Sequence, residues 1–162
     1  MWLPDTWVGG DVSKDLGVII KRLRDLGPNF EGTAQMLEQN RSAFLFWAFD
    51  SKIGDSGFLT NVNVVTEQVP STVSIDTYLD AAIKQLPSGF RAIERGLASI
   101  GGYEAGRIVL EASISGRQIK EVLYVIKRES TVWVVTYATS AEEFDKRLPA
   151  FEGSIRTFAA RP

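Results

Sequence analysis

Three segments of this chain are apolar at every consecutive position, with no alternation between apolar and polar residues. They read AFLFWAF at residues 43–49, VLYVI at 122–126 and VWVV at 132–135. Runs this short are typical of strands, and a strand that is apolar on both faces needs a covering layer on each side. The sequence therefore predicts a sheet enclosed between two layers of helices.

Helical periodicity supplies the covering layers. Apolar residues recur at helical spacing in residues 11–26, 32–39 (a weaker helix, with Met36 and Leu37 buried), 75–85 and from about residue 140 onward. Asp11 or Ser13 is the predicted N-cap of the first helix, and Ser74 is the predicted N-cap of the third. Ser140 and Glu143 have the spacing of a capping box at the start of the last helix, which could break at Pro149.

Six strands are predicted, at about residues 43–49, 58–66, 90–97, 103–114, 118–127 and 132–139. A Ser115-Gly116 turn would place Glu111 opposite Lys120, and a Glu129-Ser130 turn would place Ile126 opposite Trp133. The expected architecture is an α+β fold: an α/β/α sandwich with a largely antiparallel sheet of about six strands. Residues 1–162 form a single domain in this interpretation.

The composition excludes several classes of function. The chain has no histidine and no cysteine, so a Ser-His or Cys-His nucleophile and a histidine- or thiolate-ligated zinc site are excluded. The net charge is -2 and both signs are interleaved, which argues against a nucleic-acid partner. No apolar run approaches the roughly 20 residues of a transmembrane segment. No catalytic residues, metal site or cofactor are predicted.

Several segments, in this order and spacing, resemble the PsbP-like family. They are LPDTW at residues 3–7, FWAFD at 46–50, GFLTNVNVV at 57–65, IDTYL at 75–79 and VVTYATSAEEFDKRLPAFEGSIRTF at 134–158. That family includes the extrinsic PsbP subunit of photosystem II and a Ran-binding nuclear import factor, and this chain is most similar to its uncharacterised bacterial members. The photosystem-binding extension and the Ran-binding acidic surface have no counterpart here, so neither partner is transferred.

The resemblance implies a non-catalytic binding or assembly module whose partner is another protein. It also implies that a strand or a signal segment upstream of residue 1 is missing from this sequence. An upstream signal would place the protein outside the cytoplasm or on a lipid anchor, and without one a cytoplasmic location is expected.

Four residues are candidate ligand- or partner-binding residues. Asn61 and Asn63 are two apart in a strand, so their side chains point to the same face, where they could bind a ligand or bond to nearby backbone. Trp2 and Trp7 could form an exposed apolar surface. An alternative function is a carrier of a small apolar ligand, with Asn61 and Asn63 as its polar contacts.

A third hypothesis is an enzyme that uses carboxylates or tyrosines. Its candidates are Glu111, Glu121, Tyr124 and Tyr137. Glu121 is the best of them, because it interrupts a strand that is otherwise rich in apolar residues. A hydrogen bond to a neighbouring Arg or Lys explains that carboxylate equally well.

Overall fold

The fold of the computed structural model, which describes residues 1–114 and 116–160, is one antiparallel sheet of seven strands with four α-helices. The strands are β1 (Trp7–Asp11), β2 (Phe46–Asp50), β3 (Asn61–Gln68), β4 (Phe90–Ile100), β5 (Tyr103–Ile114), β6 (Arg117–Arg128) and β7 (Thr131–Ser140). The helices are α1 (Val12–Asp25), α2 (Glu31–Gln39), α3 (Ile75–Lys84) and α4 (Phe144–Ile155). The strand order across the sheet is β1-β2-β3-β7-β6-β5-β4.

Helices cover both faces of this sheet. On one face, which we call the α4 face, Val62, Val135 and Tyr137 pack with Phe151 and Ile155 of α4. The other, which we call the three-helix face, is covered by α1 and α2 over β1–β2 and by α3 over β5 and β6. The predicted α/β/α sandwich with an antiparallel sheet is therefore confirmed, because the doubly apolar strands lie between two helical layers.

Local sequence signals place two of the helix starts. Asp11 caps α1, with its carboxylate accepting a hydrogen bond from the Ser13 backbone N–H at 2.9 Å. Ser74 caps α3, with its hydroxyl accepting from the Thr77 N–H at 3.1 Å. Each cap satisfies an amide that the first helical turn leaves without a partner, and both predictions are confirmed.

The predicted registers of the two C-terminal hairpins are also confirmed. Glu111 pairs with Lys120 across β5 and β6, with 3.4 Å between Lys120 Nζ and Glu111 Oε1. Ile126 pairs with Trp133 across β6 and β7. Ser115, the first residue of the predicted Ser115-Gly116 turn, lies outside the described residues.

The capping box predicted for the last helix is wrong. Ser140 is the last residue of β7, paired with Ile119, and α4 begins only at Phe144 with no side-chain cap. The Glu143 carboxylate instead accepts hydrogen bonds from Arg147 Nε at 2.6 Å and from the Ser56 hydroxyl at 2.8 Å. The Glu143 carboxylate, which a capping box would require, is therefore engaged by Arg147 and Ser56.

The remaining differences are small. The α4 helix continues through Pro149 to Ile155 instead of breaking there. The sheet has seven strands where about six were predicted, because Trp7–Asp11 pairs with β2 as an additional edge strand. Met36 is 37% exposed and not buried, whereas Leu37 is fully buried as predicted.

Two contacts fix the helices to the sheet. Arg147 Nη1 of α4 lies 2.7 Å from Asp50 Oδ2 at the end of β2, and the Asp50 side chain is only 8% exposed. On the opposite face, Leu79 of α3 packs directly on Gly106 of β5, where an added β-carbon would lie 2.5 Å from Leu79 Cδ1. The glycine therefore sets how closely α3 approaches the sheet.

Candidate functional site

A cavity of about 320 Å³ lies on the three-helix face, between α2 and strands β2 and β3. We call it the α2 cavity. It is lined by twelve residues from several segments of the chain: Asn29, Phe30, Thr33, Met36, Phe44, Trp47, Gly57, Phe58, Leu59, Asn61, Asn63 and Arg117. Its volume is at the lower end of the range typical of small-molecule sites.

Asn61 and Asn63 form part of the sheet wall of this cavity. They occupy alternate positions of β3, paired with Phe49 and Trp47 of β2, so the structure places both side chains on the three-helix face. Asn61 Nδ2 donates to the Leu59 carbonyl at 2.9 Å, and its Oδ1 accepts no hydrogen bond from the described residues. Asn63 makes no side-chain hydrogen bond within residues 1–114 and 116–160. That these amides bind a ligand remains a prediction.

Aromatic side chains make up much of the remaining wall. Phe30 and Phe44 come from the segments on either side of α2, Trp47 from β2, and Phe58 from the loop before β3. Trp47 is only 3% exposed and packs in the core, and it also lines the cavity. The apolar wall and the paired amides together suit a ligand that is mostly apolar with a few polar atoms.

Arg117 lines the cavity although no sequence pattern singled it out. It is the first residue of β6, exposed, and its Nη1 lies 3.4 Å from the Gly57 carbonyl oxygen, a long distance for a hydrogen bond. It reaches the α2 cavity because the β5–β6 hairpin end lies beside the loop between β2 and β3. Only this tertiary proximity, which no local motif encodes, identifies it.

The two predicted tryptophans lie elsewhere. Trp7 is on the α4 face, edge-on to Phe151 with 6.4 Å between ring centroids. Trp2 is 56% exposed, and its carbonyl accepts a hydrogen bond from the Ser154 hydroxyl at 2.6 Å. The structure therefore separates Trp2 and Trp7 from Asn61 and Asn63 by the thickness of the sheet, and the four residues do not form one site.

Glu121 lies on the same sheet face as Asn61, two strands away. Across the ladder Glu121 pairs with Ala138 of β7, and Ala138 pairs with Asn61 of β3. Leu110 and Ala138, directly opposite Glu121 on the two neighbouring strands, are apolar, and the hydroxyl residues Thr136 and Ser140 of β7 lie diagonally beside it. Burial at this position raises the pKa of the Glu121 carboxyl to about 7. It has no ion-pair partner in the described part of the chain, and it is not part of the α2 cavity wall.

The other candidate catalytic groups do not converge on Glu121. Glu111 forms an ion pair with Arg91, with 2.7 Å between the charged atoms. Tyr124 and Tyr137 lie on the α4 face, 6.2 Å apart between ring centroids, and the Tyr137 hydroxyl donates to Ser154 Oγ at 2.9 Å. Acid–base catalysis needs such groups around one reacting atom, and here they are divided between the two faces.

Among the described residues, no three carboxylates cluster closely enough to hold a metal ion. The longest helix in the described ranges, α1, has 14 residues, fewer than a bilayer span requires, and none is long and apolar enough to cross a membrane.

Comparison with solved structures relates this fold to known proteins. It is similar to LpqN of Mycobacterium tuberculosis, described as involved in cell envelope biogenesis (TM-score 0.58, 14% identity, 94% of this chain and 76% of that chain covered). It is also similar to the cyanobacterial PsbP protein CyanoP of Synechocystis (TM-score 0.51, 13% identity, 94% and 81% covered). A third similar structure is PA94 of Pseudomonas aeruginosa, a protein of unknown function (TM-score 0.50, 25% identity, 63% and 74% covered).

The sequence itself matches no protein-family model, and no curated protein matches it. The likeness to CyanoP extends over nearly the whole chain, and the antiparallel sheet with helices on both faces is the arrangement that the sequence motifs predicted. The chain has a PsbP-like fold.

Proposed function

We propose that this chain is a non-catalytic binding module and that it binds a small molecule in the α2 cavity. The observation that carries this proposal is the composition of the cavity wall. Four aromatic rings and the side-chain amides of Asn61 and Asn63 line the cavity, and the Asn63 amide has no partner among the described residues. A preformed apolar cavity with a few convergent polar groups is the usual form of a small-molecule site.

The distribution of the remaining chemistry supports a binding role over a catalytic one. The candidate acid–base groups are split between the two sheet faces, and Glu111 is held in an ion pair. The similar solved structures include a protein of unknown function and one tied to cell envelope biogenesis, neither of which supplies a reaction.

A role in protein assembly is the second candidate, supported by the likeness to CyanoP. The exposed surface gives weaker support for a protein partner than the α2 cavity gives for a small ligand. The large apolar residues that are exposed in the described part of the chain do not share a helix or strand; they are Trp2, Val18, Met36, Leu45, Leu97 and Ile114. Single exposed apolar residues are ordinary on monomeric proteins and do not by themselves mark an interface.

The proposal can be tested by NMR. The protein, labelled with ¹⁵N, is screened against a library of small metabolites, lipids and pigments, and the changed resonances are mapped. We expect binders to shift the side-chain amides of Asn61 and Asn63 and the indole N–H of Trp47.

A pair of α2 variants supplies the control. Thr33→Phe fills the cavity and should abolish these shifts, whereas Gln35→Phe adds the same ring on the exposed side of α2 and should leave them unchanged. If no compound shifts the three reporter groups, or if binders act equally on the Thr33→Phe variant, the cavity is not the binding site. A specific protein captured by crosslinking would then favour the assembly role.

A further inference from the structure

The charge of the α2 cavity wall is the starting point for a more specific inference, which rests on the proposed function. Of the twelve described residues on this wall, Arg117 is the one that carries a formal charge. Its guanidinium has no carboxylate within ion-pair distance in residues 1–114 and 116–160. Its single hydrogen bond, to the Gly57 carbonyl, is 3.4 Å long and therefore weak. The donors of this guanidinium are available to a ligand.

The neutral polar groups of the wall add hydrogen-bond donors. Neither the Asn63 amide nor the Trp47 indole N–H has a hydrogen-bond partner among the described residues, and both side chains line the cavity. No carboxylate lies on this wall. The wall also presents two acceptor oxygens, the Oδ1 atoms of Asn61 and Asn63, so the neutral groups alone do not select the sign of a ligand. The Arg117 cation does: together with the uncommitted N–H groups it favours an oxyanion.

Two carboxylates near the α2 cavity could offset the charge of Arg117. Glu142 and Arg117 line a neighbouring cleft together, but no ion pair forms between them. Glu121 is on the same sheet face as Asn61, separated from it by Ala138, which corresponds to about 10 Å between strand axes. Neither carboxylate is part of the cavity wall, so the local charge at the cavity remains positive.

The rest of the wall sets the size and polarity of the ligand body. Six of the twelve lining residues are aromatic or aliphatic, and a volume of about 320 Å³ corresponds to the space of about ten water molecules. A single aromatic ring or a short alkyl chain fits this space, which is open to solvent. An apolar wall cannot compensate for the lost hydration of further charged groups, so a ligand with one anionic end is favoured.

We infer that the α2 cavity recognises small monocarboxylates: molecules with a compact apolar or aromatic body and one carboxylate that pairs with Arg117. Arginine is suited to this role because its planar guanidinium can donate two parallel hydrogen bonds to the two carboxylate oxygens. The aromatic rings hold the body, and Asn63 donates to the carboxylate from the sheet.

The test compares acids with their neutral amides, which have nearly the same shape. Phenylacetate, 3-phenylpropionate, hexanoate and octanoate, each paired with its primary amide, are titrated into the full chain, and the Asn63 and Trp47 resonances are followed. At least one acid is expected to bind about tenfold or more tightly than its amide, as is ordinary for a charge-assisted contact. In the Arg117→Gln variant the acid should fall to the affinity of the amide.

Two further variants make the result specific. Arg117→Lys keeps the charge but loses the bidentate geometry, so it should retain part of the preference for the acid. Arg128→Gln removes an exposed arginine at the opposite end of the same strand and should leave all affinities unchanged. The spectrum of each variant reports whether it is folded.

The outcomes separate this inference from the proposed function. If the amides shift the cavity resonances as strongly as the acids do, or if Arg117→Gln weakens acid and amide equally, the monocarboxylate inference is wrong and the cavity is still a binding site. If none of the acids shifts the cavity resonances at millimolar concentration, the monocarboxylate inference is also wrong. Failure of the wider library to shift them as well would overturn the proposed function.

Discussion

Replacement of Glu121 by glutamine should stabilise the protein at neutral and alkaline pH. The Glu121 carboxyl lies on β6 between Leu110 of β5 and Ala138 of β7, with Ile119 and Leu123 next along its own strand on the same face. None of these neighbours is charged, and the nearby Thr136 and Ser140 side chains of β7 do not hydrogen-bond to Glu121, so the ionised form loses hydration without an ion-pair partner to compensate. Glutamine has nearly the same shape and does not ionise.

The size of the effect follows from the pKa of Glu121, which burial raises from 4.5 to about 7. Between these two values the folded protein holds the proton more tightly than the unfolded chain does, so the free energy of unfolding falls as the pH rises. The difference of about 2.5 between the two pKa values corresponds to about 3 kcal/mol in the free energy of unfolding. The wild type has lost this stability completely above about pH 8. Below about pH 4.5 the carboxyl is protonated in both states and carries no such penalty.

Urea denaturation of the wild type and of Glu121→Gln across pH 4 to 8 measures this difference. The variant should equal the wild type near pH 4 and exceed it by about 3 kcal/mol at pH 8, a rise in Tm of roughly 6–12 °C for a domain of this size. Glu104→Gln, which removes an exposed carboxylate on β5, is the matched control and should stay within about 0.5 kcal/mol throughout. A Glu121→Gln difference that does not change with pH would refute the reasoning.

Two further substitutions test contacts described above. Gly106→Ala should destabilise the protein by about 1–3 kcal/mol in urea denaturation, because the added β-carbon would collide with Leu79. The control is Gly96→Ala, on the edge strand with open space around it, which should leave the stability nearly unchanged. Equal effects of the two substitutions would contradict the close approach of α3 to the sheet. Arg147→Met should cost about 3 kcal/mol in the same assay, because the buried Asp50 carboxylate loses its ion-pair partner and keeps only the Lys52 N–H, and Glu143 loses its ion pair as well. Adding Asp50→Asn to the Arg147→Met variant should restore part of that loss. An Arg147→Met variant as stable as the wild type would contradict the importance of these ion pairs.

The parts of the fold that were predictable from the sequence depend on short-range physics. The Asp11 and Ser74 caps and the Glu111–Lys120 register were predictable because each partner lies within a few residues or across one hairpin. The capping box at residue 140 failed because Arg147 and Ser56 engage the Glu143 carboxylate, and Ser56 is 87 residues away in the chain. The contribution of Ser56 cannot be read from local spacing, whereas the Glu143–Arg147 pair is a local i,i+4 contact.

The candidate site also contains residues that the sequence predicts and residues that only the tertiary structure identifies. The two-residue period of a strand places Asn61 and Asn63 on one face, and this needs no tertiary information. Arg117 joins them only because the β5–β6 hairpin ends beside the loop before β3. Met36 was predicted to be buried because it is apolar, but it is 37% exposed and lines the cavity. Local sequence does not distinguish an apolar residue on a cavity wall from one in the packed core.

The sheet order implies a sequence of events during folding. Strands β4 to β7 follow one another along the chain, so each pairing closes only a short loop, whereas β3 joins β7 with more than sixty residues between Gln68 and Thr131. Because closing a longer loop costs more entropy, we expect the C-terminal meander to assemble first and the β3–β7 seam last. Pulse-labelled amide exchange during refolding should protect β5 and β6 before β3. Since β3 carries Asn61 and Asn63, the cavity would exist only once the two halves of the chain have joined.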